Sequence, residues 1–113
     1  MKITTVISAK IRDDIYQSIR NGKKQFEVRT EPFGSAGVIR YVSASTGKQL
    51  GFWQIKESLS VPISDRSTIQ KYAAVPREIV DELFPMTSGT CVYVARLGHE
   101  VTVNSLFERG ENE

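Results

Sequence analysis

The amino-acid sequence predicts a small α+β domain: a mixed or antiparallel β-sheet closed into a barrel, with an N-terminal helix and a helical insert before the last strands. Three observations predict it. The chain has 113 residues, 40% apolar and 25% charged, which suits one globular core and leaves no room for a second. Short β-branched stretches outnumber the segments with helical spacing. Most connections between them are too short for the crossovers that parallel neighbours require.

The elements follow in order. Ile3 to Ala9 is short and β-branched, a strand. From Lys10 to Asn21 the period changes: Ile11, Ile15 and Ile19 recur every four residues among charges, the pattern of an amphipathic helix. Gly22 is its expected stop, because glycine takes a left-handed cap at no steric cost. Gln25 to Arg29 alternates, with Phe26 and Val28 on one face and Glu27 and Arg29 exposed on the other. Glu31 to Gly37 is turn and connector; Val38 to Ser45 is the next strand; Thr46-Gly47-Lys48 turns the chain. Gln49 to Val61 is a long strand with Leu50, Phe52 and Trp53 as anchors and Gly51 as a possible bulge. Ser64 opens the helical insert, with one helix over Asp65 to Tyr72 and another started by Pro76, which places Ile79, Val80 and Leu83 towards a core. Thr90 to Leu97 is a strong strand, and Gly98-His99-Glu100 a turn or bulge into Val101 to Val103.

Several function classes fall away on composition. No apolar run is long enough to span a membrane, and residues 1–10 lack the apolar stretch of a secretory signal, so the cytoplasm is the default compartment. Cys91 is the only cysteine and His99 the only histidine, so neither a disulfide nor a Cys/His metal site is expected, and no cofactor. The net charge of +2 is unevenly spread. Residues 1–50 hold nine bases against four acids, and residues 51–113 six bases against nine acids. A basic half on a near-neutral chain points to a local anionic partner; scattered solvated charge is the alternative.

The most unusual segment is Gly22-Lys23-Lys24-Gln25-Phe26-Glu27-Val28-Arg29, which gathers a helix end, two lysines, an acid and an arginine. It resembles the G-x-K-x-x-E-x-R signature of the ASCH domain, a PUA-like β-barrel. The resemblance extends to Lys10-Ile11-Arg12 and the Ile15/Ile19 helix, to Pro32-Phe33, to Tyr41 through Ser45 followed by Gly51-Phe52-Trp53, and to the closing strands of Thr90 to Leu106. It covers residues 3 to 107. A single domain over 1–107 is therefore expected, with 108–113 a frayed polar tail.

The resemblance implies a cleft beside the first helix, floored by the signature strand, that binds RNA or a nucleotide-like ligand. Arg12, Lys23, Lys24, Glu27, Arg29, Tyr41 and Ser43 are its candidate contacts. Some members of the family are hydrolases: ribonucleases, or amidohydrolases that remove an acyl group from a modified cytidine. Lys24 matches the lysine of the amidohydrolase branch, and Lys24 and Glu27 would then be catalytic. Where that branch has a threonine this chain has Glu27, a departure that favours binding. The acid which that branch takes from the later helical region is left open among Asp65, Glu78 and Glu82.

The residues themselves leave alternatives open. Lys24 is either a solvated lysine paired with Glu27, or an ammonium that binds phosphate, or a desolvated base. Glu27 and Arg29 form either a cross-strand ion pair or a cleft wall. Arg12 at a helix start suits a bound phosphate or is a flexible surface side chain. Tyr41 and Trp53 either stack on a base or belong to the core.

Overall fold

The computed structural model describes residues 5–102. The order of elements is β1 (Val6–Ile11), α1 (Asp13–Arg20), β2 (Phe26–Arg29), β3 (Val38–Ser43), β4 (Gln49–Pro62), α2 (Arg66–Ala73), α3 (Arg77–Leu83), a 3-10 turn (Met86–Ser88) and β5 (Cys91–Val101). The five strands make one sheet in the order β1-β3-β4-β5-β2. β1 pairs with β3 in parallel, and the other pairings are antiparallel, so the sheet is mixed. It curls into a half-barrel. Among the described residues β1 and β2 each pair on one side only, and closure stops short at these two edges.

The first helix is shorter than its periodicity suggests. Lys10 and Ile11 stay in β1, in register with Val42 and Ser43, and α1 begins at Asp13. Ile11 nonetheless joins Ile15 and Ile19 in one core with Tyr16, Ile39 and Tyr41. Asp13 ties the helix start to β3: Ser43 donates its hydroxyl to Asp13 Oδ1 at 2.6 Å, and Ser45 donates to Oδ2 at 3.3 Å. At the other end Gly22 has φ +82°, a conformation that glycine alone takes freely. The chain reverses there, and the Lys24 N–H reaches the Ser18 carbonyl at 2.9 Å.

β4 is long and bent. Its register with β3 shifts between Tyr41 and Val42, opposite Gly51 and Gln49, which leaves Leu50 as the extra residue of a bulge. Tyr16 donates its hydroxyl to the Leu50 carbonyl at 3.2 Å and accepts the Trp53 indole N–H at 3.3 Å. A Cβ on Gly51 would run into that hydroxyl, so the bulge beside the helix depends on glycine. Trp53 itself is half-buried, as is Phe26.

A second core lies under the insert, formed by Val28, Val61, Ile63, Ile69, Val80, Phe84, Val92 and Val94. Val75 packs against both cores. Asp65 caps α2, accepting the Thr68 N–H at 3.3 Å. The hinge pin of the insert is Arg66, buried on α2, which donates to the Ile63 carbonyl at 3.0 Å, to the Val80 carbonyl at 3.3 Å and to Asp81 at 2.9 Å. Leu83, expected in the core, is 42% exposed: Val80 and Phe84 fill the inner face of α3 and leave Leu83 at its edge. At Gly98 and His99 the sequence allows a turn or a bulge, and the structure has the bulge: β5 runs on to Val101, but its register with β4 shifts there, with Leu97 opposite Ile55 and Glu100 opposite Trp53. Val103 and the polar tail at 108–113 lie outside the described residues.

Two substitutions test this architecture. Ile15→Asp should abolish the cooperative melt, since an unpaired carboxylate in the core under α1 costs several kcal/mol. Arg66→Ala should lower the free energy of unfolding by about 1–3 kcal/mol in urea titrations, because the buried Ile63 carbonyl loses its donor and the Val80 carbonyl, which keeps the Phe84 N–H, loses one of two. A two-state melt at wild-type temperature for either variant would contradict the packing described.

Candidate functional site

The gap between the unpaired edges is a cleft of about 550 Å³, a size that suits a nucleoside-scale ligand. Its walls come from three parts of the fold. β1 and the start of α1 give Lys10, Ile11, Arg12 and Ile15; β2 and its approach give Lys24, Glu27, Arg29 and Glu31; the insert gives Ala73, Val75, Leu83 and Phe84.

Lys24 is placed by the turn after α1. Its side chain is buried, and Nζ donates to the Ala73 carbonyl at 2.7 Å, at the C-terminal end of α2. Burial pulls the ammonium down to about 8, while the negative charge of Glu27 works in the opposite direction. Glu27 is also buried, which corrects the exposed face expected for it. Its backbone sits in β2 opposite Ala95, and Oε1 accepts the Tyr41 hydroxyl at 2.6 Å. Burial pushes the Glu27 carboxyl up, opposed by the Tyr41 hydrogen bond and by the charges of Lys24 and Arg29. Lys24 and Glu27 thus act on each other through their charges, each hydrogen-bonding elsewhere.

Arg29 stands on the same strand, half-buried. Its guanidinium lies over the Phe33 ring at 5.7 Å and 3.5 Å from the Glu31 carboxylate. One of its nitrogens, Nη1, is buried without a hydrogen-bond partner. A buried guanidinium donor left unpaired is a costly group.

The other expected contacts are placed differently. Arg12 lines the mouth of the cleft, but it is held on Asp14 by two hydrogen bonds of 3.1 and 2.8 Å. Lys23 is exposed and is not among the lining residues. Tyr41 is fully buried, edge-on to Tyr16 at 5.7 Å, so no base stacks on it; it acts by holding Glu27. The Tyr41 hydroxyl is pushed well above its ordinary range, chiefly by burial and then by the Glu27 charge, so it stays a donor. Ser43 is buried and engaged with Asp13. Asp65, Glu78 and Glu82 are all exposed and none lines the cleft. Nothing in the residue pattern points to Leu83 and Phe84 at the cleft: helical spacing assigns Leu83 to a core. No cluster of three or more His, Cys, Asp or Glu side chains among the described residues could hold a metal ion.

The chain is a mixed α+β sheet curled into a half-barrel, with helices over its ends and a charged strand at its open seam. This is the ASCH-domain fold. It is similar to the crystal structure of ASCH from Zymomonas mobilis, at 19% identity and TM-score 0.63 over 96% of this chain and 79% of that one. A serine-to-alanine mutant of the same protein superposes at TM-score 0.66 and 15% identity, over 100% of this chain and 84% of that one. A tyrosine-to-phenylalanine mutant gives 0.60 and 17%, over 96% and 81%. No family model and no curated protein matches the sequence.

The Tyr41–Glu27 pair is open to test. Tyr41→Phe should cost about 1–3 kcal/mol of stability by stripping a buried carboxylate of a donor. It should also move the Glu27 titration, followed by carboxyl carbon NMR, to higher pH. An unchanged titration would show that Tyr41 does not hold the charge.

Proposed function

We propose that the chain binds an anionic, nucleotide-like ligand, either a free nucleotide or an exposed nucleotide of single-stranded RNA, in the cleft between β1 and β2. One observation carries this reading: β2 lines a nucleoside-sized cleft with a buried ammonium and a guanidinium whose Nη1 lacks a partner. At about 8, Lys24 is mostly protonated at neutral pH. One of its three donors is taken by Ala73, and the others are free to meet a phosphate or a carbonyl oxygen. The Glu27 carboxyl, pushed up by burial and drawn down by the Tyr41 hydrogen bond and its two cationic neighbours, stands beside both cations as an orienting group. The reading takes the cytoplasm as the compartment, where such ligands occur.

A second reading is favoured by the same lysine. With its ammonium lowered to about 8, a minority of Lys24 is neutral at pH 7 and available as a base or nucleophile. That would suit a hydrolase acting on RNA or on an acylated cytidine.

Titrations with a short single-stranded RNA and with CMP test the binding reading. Lys24→Ala should lose roughly 1–3 kcal/mol of affinity, and Lys24→Arg most of the wild-type affinity should survive, as the charge is kept. The slope of log affinity against log salt for RNA should be shallow, on the order of −2 to −3 for three or four phosphate contacts.

The pH dependence has a definite sign. Affinity should fall as pH rises above about 8, where the free protein's Lys24 gives up its proton. In Lys24→Arg it should stay flat over the same interval, since a guanidinium keeps its proton. Turnover of N4-acetylcytidine or RNA by wild type that vanishes in Lys24→Arg would replace the binding reading with the hydrolase. No measurable binding to either ligand would refute it.

A further inference from the structure

The three walls of the cleft are chemically unequal. β2 brings Lys24, Glu27 and Arg29. The insert brings Ala73, Val75, Leu83 and Phe84, an apolar wall without a charged side chain. Within that wall Ala73 and Phe84 are buried and belong to the core under the insert, and Val75 packs against both cores. Leu83 is different. It lines the cleft and is still 42% exposed. Its neighbours Val80 and Phe84 have already filled the space beneath α3, so no further packing inside the protein is open to it.

An exposed leucine on the rim of a charged cleft gains only when something apolar is laid against it. The opposite wall already selects an anion. A ligand that satisfies both walls carries a negative group and an apolar ring. We infer that Leu83 is the specificity-determining contact for the base of the nucleotide, with the insert wall taking the ring and β2 taking the phosphate. This rests on the binding reading above and deepens it: charge on β2 gives attraction, and Leu83 separates a nucleotide from a bare sugar phosphate.

The arrangement also explains a local oddity of α3. The helix has seven residues, and Leu83 is its last. A polar residue there would be the ordinary choice for an exposed position at a helix end. Met86, three residues on, is even more exposed, at 56%, but is not among the lining residues, which makes it the matching control.

The experiment is a set of titrations of wild type, Leu83→Ala, Leu83→Met and Met86→Ala with CMP, ribose 5-phosphate and a short oligocytidine RNA, with thermal melts alongside. Wild type should prefer CMP to ribose 5-phosphate. Leu83→Ala should shrink that preference roughly five-fold, the worth of a lost partial apolar contact, and leave ribose 5-phosphate affinity unchanged. Leu83→Met should restore most of the preference, and Met86→Ala should alter nothing. A parallel loss for oligocytidine would place an RNA base on the same wall, whereas a loss for CMP alone would assign the wall to free nucleotides. Either pattern supports the role of Leu83. Wild-type CMP binding with an undiminished preference in Leu83→Ala would overturn the inference and leave the binding cleft standing. Failure of all three ligands to bind wild type would overturn both.

Discussion

The hydrogen bond from Lys24 Nζ to the Ala73 carbonyl ties the approach to β2 to the end of α2, beside the Phe26–Tyr72 ring contact and the packing of Val28 with Ile69 and Ala73. Lys24 leads out of the turn after α1, and Ala73 ends α2, on the far side of β3 and β4. Without this bond the insert would face an unsatisfied buried ammonium across the seam. With it, the cation is shared between a helix C-terminus, where carbonyls favour positive charge, and the cleft that Lys24 lines. The Ala74 cap that follows is left-handed, φ 57°, in a residue other than glycine. That conformation carries a modest cost, accepted at the point where the helix turns its last carbonyl to the lysine.

Around that bond the cleft holds a balance of charge that works only when it is dry. Glu27 is buried between two cations, with Tyr41 as its donor. In water these charges would be screened and individually weak. In the interior they fix one another's ionisation, and the directions of the Lys24 and Glu27 shifts are both set first by burial. Tyr41 is thereby a structural member of the site without touching the cleft, supported in turn by Tyr16, whose hydroxyl pins the β4 bulge.

The order of strands and helices was legible in the sequence because it rests on local pattern: Ile15 and Ile19 mark α1, Gly22 ends it, and Pro76 starts α3. Boundaries were less so. Ile11 has helical spacing from Ile15, yet β3 recruits it into a strand, a tertiary choice that spacing cannot register. Gly98 reads equally as a turn or a bulge, and only pairing with β4 decides for the bulge. The charged segment 22–29 was legible as a site by its concentration of Lys24, Glu27 and Arg29. Its burial was not, because alternation marks one face of a strand as polar without revealing that helices will cover that face. For Tyr41 the sequence leaves stacking and core equally open, and the structure decides for the core. Leu83 could not be assigned to the cleft because its exposure depends on Val80 and Phe84 having filled the core first.

Both long walls of the cleft belong to strands at the two ends of the sheet order, each held by a single neighbour. β3, β4 and β5 form a central antiparallel unit that owes nothing to the seam. Fraying of β1 or β2 would therefore widen the cleft while that central unit stays intact, and the local opening free energy would be smaller than the global one. Amide hydrogens along the two edges are thus free to exchange on a faster clock than those of the centre. The breadth of the opening becomes a property of edge breathing, separable in evolution and in the test tube from the stability of the fold as a whole.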